Sequence, residues 1–303
     1  MTSTSTVTPP PTALPGRVAG QRSPNRPALN RRSPAGRAVT YALLLVFILV
    51  VLMPAYVLIV TSFKSGRDIG VNGQWSLPAH WTVASWNKAW IALGPSFART
   101  FELAIPVALI SSLLGSANGF VLSRWRFPGA DVVFTLILFG MFIPYQAVMI
   151  PLRQVVQTIG LPSGIPTLIF AHCVYGIPIC TLIFRNYYAT IVPVEIIEAA
   201  RVDGAGLLRT FASIILPISI PGFVVTIIWQ FTSAWNDYLF AIFLSNTSNG
   251  PITIALNALA GAQSPDYAAS MAGALIASLP TLIVYIVLGR WFIGGLMAGS
   301  VKS

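Results

Sequence analysis

The sequence is poor in charged residues and in cysteine. Only 9% of its 303 residues are Asp, Glu, Lys or Arg, and 55% are hydrophobic, whereas a soluble domain carries about 25% charged residues. This composition excludes a soluble globular protein and indicates an integral membrane protein. On one helix the two cysteines, Cys173 and Cys180, would lie about 10 Å apart along the axis, which is beyond disulfide reach.

Motifs that would bind a nucleotide or a catalytic metal are also missing. The sequence contains no P-loop, no zinc-hydrolase helix motif and no nucleophile elbow. His172 beside Cys173 is too small a ligand set for a zinc site. We therefore expect no catalytic residue, no metal site and no cofactor bound by this chain.

Long apolar stretches are abundant, and six of them suffice to cross a bilayer, for which about 20 helical residues are needed. We predict an all-α, polytopic membrane protein with six transmembrane helices over residues 37–293. The predicted spans are approximately Val39–Val60, Phe101–Leu122, Val132–Leu152, Ile165–Phe184, Ile218–Leu244 and Met271–Ile293.

The distribution of basic residues predicts the orientation of these spans. Thirteen Lys and Arg residues fall on the side of the N-terminus and five on the other side. Because Lys and Arg concentrate on cytoplasmic segments, both termini are predicted to be cytoplasmic. Residues 1–36 are basic and rich in Pro, Ser and Thr, so we expect a disordered tail, and residues 294–303 are expected to form a second cytoplasmic tail.

Polar residues recur within the fifth predicted span. Thr226, Gln230, Ser233 and Asp237 follow an i, i+4, i+7, i+11 spacing that places them on one face of a helix. Polar groups facing lipid are costly, so this stripe must face protein or water. Two interpretations stay open: hydrogen bonds to a neighbouring helix, or the lining of a path for a polar substrate to which Asn236 contributes.

Residues 190–217, between the fourth and fifth spans, are polar and rich in small residues. Pro193 suits the first turn of a helix, Gly204 is placed to end that helix, and Pro217 is expected to end a second one. Ala199–Ala200 would leave the first helix thin enough to enter a groove. The pattern favours docking of a partner outside the membrane over a helix that lies on the membrane surface.

This segment resembles the EAA loop of ABC importer permeases. The matching residues are Glu198-Ala199-Ala200, Asp203-Gly204-Ala205, Phe211, Leu216-Pro217 and Pro221, and the similarity continues in Ser123–Gly129, Ile143–Leu152, Trp235-Asn236-Asp237 and Gly295–Lys302. This combination resembles the carbohydrate branch related to the maltose-importer permeases. The match is poorer before Val121.

The resemblance implies that the chain is a permease subunit of a bacterial or archaeal ATP-binding-cassette importer. In this importer the chain would form half of the path for a sugar, and it would not itself be an enzyme. The implied partners in the cell membrane are a homologous permease, two subunits that use ATP and Mg, and an extracytoplasmic sugar-binding protein, with no nucleic acid. It assigns ATPase coupling to Glu198, Ala199, Ala200, Asp203, Gly204, Ala205, Gly299 and Lys302, and contact with the binding protein to Thr253, Asn257 and Gln263.

Three other functions stay open at this point. They are an ABC permease for a polyol or a glycerol-phosphodiester, an ion-coupled secondary transporter, and a membrane receptor. A phosphorylated substrate would favour a basic path. Ion coupling usually requires paired intramembrane ionisable residues and inverted repeats, and the sequence shows neither.

Overall fold

Helices account for the regular structure of the part of the chain described by a computed structural model, which covers residues 34–125, 127–261, 263 and 265–297. Side chains are described as far as Gly289. The helices are α1 (Pro34–Ser62), α2 (Gly66–Asn72), α3 (Ala84–Arg124), α4 (Ala130–Phe139), α5 (Tyr145–Thr158), α6 (Ile165–Ile191), α7 (Val194–Val202), α8 (Leu207–Thr210), α9 (Leu216–Ile218), α10 (Ile220–Asn236), α11 (Leu239–Leu244), α12 (Ile252–Ala260) and α13 (Tyr267–Met297). A 3-10 turn (Gly140–Phe142) follows α4, and a π-helical turn (Phe211–Ile215) separates α8 from α9.

The all-α, polytopic fold predicted from the sequence is confirmed. Among the described residues, α1, α3, α6 and α13 are long and apolar enough to cross a membrane, and two bent helix pairs raise the number of spans to as many as six. The chain divides after Met53 into two units. The first contains the beginning of α1, and the contacts below all belong to the second.

The third predicted span is not one continuous helix. It consists of Ala130–Phe142 and Tyr145–Thr158, which meet at an angle of 101°. Ile143 is extended, with φ −75° and ψ 117°, because the ring of Pro144 disfavours the helical conformation of the residue before it. The predicted span Val132–Leu152 therefore contains a sharp break, and it counts as one of the six spans only if this bent pair is taken together.

The fifth predicted span, Ile218–Leu244, is also interrupted. The helical segment up to Ile218 meets α10 at 79°, and Pro221 lacks the N–H that would continue the helical ladder. At its other end α10 stops because Asp237 is extended, with ψ 130°. Pro217, expected to end a helix, lies instead at the first positions of α9.

The ends of the other predicted elements also differ in the structure. The second span begins well before Phe101, since α3 runs without interruption over Ala84–Arg124. Residues 34–36 of the predicted tail belong to α1, and residues 294–297 of the second predicted tail continue α13. The remaining residues of both tails lie outside the described part of the chain.

Close packing of α3 on α6 forms the frame of the second unit. A Cβ atom added to Gly115 would lie 2.3 Å from the Cβ of Cys180, and one added to Gly119 would lie 2.7 Å from the Cβ of Phe184. Such small residues let helix backbones approach closely in lipid. Cys173 and Cys180 are both buried and unpaired, in agreement with the spacing argument.

Candidate functional site

A cavity of about 430 Å³ opens among α5, α6, α10 and α11. It is lined by Tyr145, His172, Tyr175, Gly176, Ile179, Trp229, Gln230, Ser233, Asn236, Asp237, Tyr238, Leu239 and Phe240. Its wall combines amide, hydroxyl, imidazole and carboxylate groups with aromatic rings, and no Lys or Arg among the described side chains lines it. Apolar walls with a few convergent polar groups are typical of small-molecule sites.

Asp237 occupies the break between α10 and α11. Its Oδ1 accepts a hydrogen bond from the Phe240 N–H at 3.3 Å, and its Oδ2 accepts one from the Ala241 N–H at 3.1 Å. The carboxylate thus caps the first turn of α11, where the helix dipole favours negative charge. The hydroxyl of Thr253 on α12 donates to the Asp237 carbonyl at 2.7 Å, which ties this break to the next helix.

Four of the five predicted path residues, Gln230, Ser233, Asn236 and Asp237, line the cavity. Thr226 does not: it is fully buried, and its hydroxyl donates to the backbone carbonyls of Gly222 and Phe223 within its own helix. Its place in the stripe was wrong as a lining prediction, because Thr readily bonds backward within a helix. The stripe also ends before Asp237, which lies beyond the helix.

Gln230 has a partner on the neighbouring helix as well as a place in the cavity wall. Its amide nitrogen donates to the Gly176 carbonyl at 3.0 Å and approaches the Cys180 sulfur at 3.4 Å. Gln230 therefore joins α10 to α6, as the first interpretation of the polar stripe expects, and it also borders the cavity.

Sequence reasoning missed His172 as a member of this site. Its side chain lies on α6, is only 5% exposed and borders the cavity. Its Nε2 lies 3.4 Å from Asp237 Oδ2 and has no hydrogen-bond partner in the described part of the chain. These two residues are far apart in sequence, and only the packing of α6 beside the α10–α11 break brings them together, so no local pattern signals the pair.

The second functional region is the coupling segment, residues 190–217, which contains α7. Gly204 adopts φ 73°, a left-handed conformation that glycine adopts without strain. The Gly204 N–H donates to the Arg201 carbonyl at 3.0 Å, and the Ala205 N–H donates to the Ala200 carbonyl at 2.9 Å. This pair of bonds is the Schellman motif, so the predicted role of Gly204 in ending the helix is confirmed.

The two faces of α7 differ in exposure. Ile197 and Ala200 are 2% and 4% exposed, and Ile197 packs into a cluster formed by Phe120, Phe184, Tyr188, Val192 and Ile215. Glu198, Ala199 and Asp203 are exposed. We expected the small side chains of both Ala199 and Ala200 to lie on the docking face of α7. Ala200 instead faces the rest of the protein, so only Ala199 lies on the exposed face.

Hydrogen bonds join α3, the end of α6 and the bend that follows the coupling segment. Arg124, at the end of α3, donates two hydrogen bonds to the Tyr188 carbonyl at 3.0 and 2.9 Å. The Tyr188 hydroxyl lies 2.6 Å from that of Ser116 and 2.8 Å from that of Ser219. The bend between the coupling segment and α10, at Ser219, is thus bonded to α6 directly and linked to α3 through the Tyr188 hydroxyl.

The three residues predicted to contact a binding protein are not equivalent. Asn257 and Gln263 are exposed, whereas Thr253 is half-buried and bonded to the Asp237 carbonyl. Glu198 to Ala205 are all described, but Gly299 and Lys302 lie outside the described residues.

A cavity with polar groups among helices of membrane-spanning length, together with an exposed helix between two spans, is typical of a multi-pass membrane transport protein. Residues 108–295 match the family described as "Binding-protein-dependent transport system inner membrane component", and this chain belongs to that family.

Individual relatives and a solved structure agree with this family. The chain is 46% identical over 169 residues, 55% of its length and 61% of the relative's, to a probable ABC transporter permease of Pyrococcus horikoshii. It is 32% identical over 286 residues, 86% of its length and 92% of the relative's, to a xylose/arabinose import permease of Haloferax volcanii. A bacterial ABC transporter that imports the acidic polysaccharide alginate shares its fold, with TM-score 0.74 and 22% identity over 86% of this chain and 98% of that one.

Proposed function

We propose that this chain is the permease subunit of an ATP-binding-cassette importer and forms half of the translocation path for a sugar. The cavity carries the proposal. Sugars present many hydroxyls, and amide, hydroxyl and carboxylate groups such as Gln230, Ser233, Asn236 and Asp237 can bind them. The aromatic rings of Trp229 and Tyr175 supply flat apolar surface for the faces of a sugar ring.

The relatives support a carbohydrate as the substrate class. The Haloferax relative imports xylose or arabinose by its name, and the alginate transporter shares the fold. The charge of the cavity argues against a glycerol-phosphodiester, because phosphate recognition favours Arg or Lys and the lining contains neither. A polyol fits the same lining and is the second candidate.

The proposed assembly follows from the two faces of α7. The exposed face, with Glu198, Ala199 and Asp203, suits insertion into a groove of an ATP-binding subunit, and Gly299 and Lys302 are assigned to the same interface. ATP and Mg would be used by that subunit. A homologous permease completes the path in the cell membrane. An extracytoplasmic binding protein meets the α12 region at Asn257 and Gln263. Closure of the ATPase subunits on ATP then drives alternating access through the docked helix α7.

Uptake of labelled xylose, arabinose, glucose, maltose and a polyol in the native host tests this proposal. We expect that deletion of the gene abolishes uptake of one sugar, and that ATP depletion does the same in the parent strain while an uncoupler that spares ATP does not. Asp237→Ala should reduce uptake with the transporter still assembled in the membrane. Uptake that survives ATP depletion but collapses with the uncoupler would establish ion coupling instead, and unchanged uptake after deletion would favour a receptor.

A further inference from the structure

We infer that His172 and Asp237 form a hydroxyl-binding pair in the cavity, which makes His172 a specificity-determining residue for the transported sugar. This inference rests on the proposed function and deepens it. It assigns a recognition role to an imidazole on α6 that no sequence motif indicates.

The first observation is an unsatisfied imidazole. His172 is 5% exposed, and its Nε2 is buried without a hydrogen-bond partner. The distance of 3.4 Å to Asp237 Oδ2 exceeds the range of about 2.7–3.2 Å for an N–H···O hydrogen bond. Since an unpaired buried polar group is costly, a partner that enters the cavity would relieve this cost.

The second observation is a carboxylate that is fixed in place and only partly used. Each oxygen of Asp237 accepts one backbone N–H from the start of α11. A carboxylate offers about four lone-pair sites, so each oxygen retains acceptor capacity. A sugar hydroxyl placed beside the pair, at hydrogen-bond distance from both atoms, can donate to Asp237 Oδ2 and accept from His172 Nε2, and a neighbouring hydroxyl can donate to Oδ1.

The surroundings hold both groups in orientation. The imidazole packs edge-on against the ring of Phe240, with ring centroids 5.4 Å apart and planes at 75°. Phe240 lies on α11, whose first turn Asp237 caps, and Tyr175 packs on the same ring at 5.3 Å. One short helix therefore positions the carboxylate, the imidazole and one aromatic wall of the cavity, as a preorganised site requires.

Binding of sugars to the assembled transporter tests the inference. The full-length chain, purified with its native partner subunits in lipid nanodiscs and without the binding protein, is titrated with glucose, xylose, maltose and the 2-, 3-, 4- and 6-deoxy analogues of glucose by saturation-transfer NMR. The variants are His172→Phe, which keeps a ring against Phe240, His172→Gln, which restores a polar group, and Asp237→Asn. His80→Phe is the matched control, because His80 is the other histidine of the chain and is exposed.

We expect the wild type to bind a sugar and to lose about tenfold or more in affinity when one particular hydroxyl is removed, since hydrogen bonds to charged groups are the strong ones. His172→Phe and Asp237→Asn should each weaken the parent sugar about tenfold and no longer discriminate against that deoxy analogue. His172→Gln should recover part of the discrimination, and His80→Phe should match the wild type.

The inference is overturned if His172→Phe loses as much affinity as the wild type when each hydroxyl of the sugar is removed, or if the variant binds every analogue more weakly by the same factor. It is also overturned if no tested sugar binds the wild type. Should His172→Phe fail to assemble, the His172→Gln variant decides in the same way. If gene deletion abolishes sugar uptake but the deoxy penalties stay unchanged, only the inference fails. If deletion leaves uptake intact, the proposed function fails first.

Discussion

The coupling segment and the cavity differ in the direction that their polar groups face. On α7 the apolar side chain of Ile197 is buried and the acidic side chain of Glu198 is exposed, as expected of a helix that meets a protein partner. In the cavity Gln230 and His172 are buried, and polar side chains face a partly open concave space. The first arrangement suits contact with a large surface, and the second suits enclosure of a small polar molecule.

The two regions share one frame, and this explains how a partner outside the spans would act on the cavity. Tyr188 of α6 contacts the cluster under α7, and its hydroxyl bonds to Ser116 of α3 and Ser219 at the bend before α10. The same α6 carries His172 and Tyr175 into the cavity wall. The packing under α7 is therefore continuous with helices that line the cavity.

The largest expected effect comes from breaking this shared frame. Gly115→Ala would place a methyl group 2.3 Å from the Cβ of Cys180 and 2.7 Å from its carbonyl carbon. Overpacking of this kind costs about 1–3 kcal/mol or more. We expect a thermal midpoint several degrees lower, measured by size-exclusion chromatography after heating in detergent, with both sugar binding and ATPase coupling reduced.

Gly94→Ala provides the control for Gly115→Ala on the same helix. The nearest atoms to its added methyl group belong to the Trp90 side chain, at 3.8 and 4.0 Å, so the midpoint should be unchanged. Equal midpoints for both variants would show that the α3–α6 contact is looser than the distances indicate.

Gly204→Val should uncouple the segment while leaving the cavity intact. A β-branched residue at φ 73° costs about 1–2 kcal/mol, although a Cβ there would meet no atom within 4 Å. A cost of this size lowers the population of the left-handed turn at position 204, relative to other conformations, by about five- to thirtyfold. We expect ATP-driven sugar uptake in proteoliposomes to fall by that factor at normal membrane abundance, while sugar affinity stays unchanged.

The matched substitution for Gly204→Val is Gly206→Val. Gly206 has φ −75° and also has open space around its Cβ position, so valine fits there without backbone strain. If the two variants transported sugar equally well, the left-handed turn would not contribute to coupling.

The two faces of α7 can be separated by a pair of identical substitutions. Ala199→Leu enlarges the exposed face, so we expect loss of the ATP-binding subunits during purification with little change in the thermal midpoint. Ala200→Leu adds volume at a position that is 4% exposed, and should lower the midpoint instead. The reverse pattern would show that α7 docks by its other face.

The smallest effect is expected far from both regions, at the exposed ion pair of Lys88 and Asp266, whose charged atoms lie 2.9 Å apart. Although burial opposes the shift, hydrogen bonds from Lys88 and the Ala269 N–H hold the pKa of Asp266 below its usual value. Because the folded pKa is lowered, this stabilisation is present above the unfolded pKa of about 3.9 and is lost as the pH falls through the folded pKa.

For Lys88→Met we expect a loss of about 0.2–1 kcal/mol at neutral pH, typical of exposed pairs. The difference in thermal midpoint between variant and wild type should vanish at acidic pH. Transport by the variant should equal that of the wild type, and a marked transport defect would mean that this pair belongs to an interface.

Local signals account for what the sequence predicts well. The apolar stretches, the end of α7 at Gly204 and the small residues Gly115 and Gly119 depend on neighbours in the chain or on one helix face. The break at Ile143 was also predictable, since the residue before proline avoids the helical conformation. Proline alone does not predict such a break in a membrane protein, because membrane helices tolerate proline when neighbours satisfy the freed carbonyls.

The cavity depends on contacts between distant parts of the chain. The sequence spacing predicts the polar stripe of α10. It does not show that Thr226 is absent from the cavity lining, because its hydroxyl bonds to backbone carbonyls within its own helix. Asp237 was placed on the helix face because its spacing fits, whereas its side chain instead caps α11. His172 joins the site only through the packing of α6 on that break, so its role could not be derived from sequence spacing.

The central claim is that the exposed face of α7 is the surface through which ATP hydrolysis in a partner subunit acts on the spans. It is tested most directly by a Glu198→Cys variant, which introduces an exposed thiol beside two native cysteines that are both buried. The rate of maleimide modification is measured in the purified chain and in the transporter assembled with its ATP-binding subunits. We predict fast modification in the chain alone, at least tenfold slower modification in the assembly, and a cross-link to an ATP-binding subunit with a short bifunctional reagent. Equal modification rates and no cross-link would contradict the account.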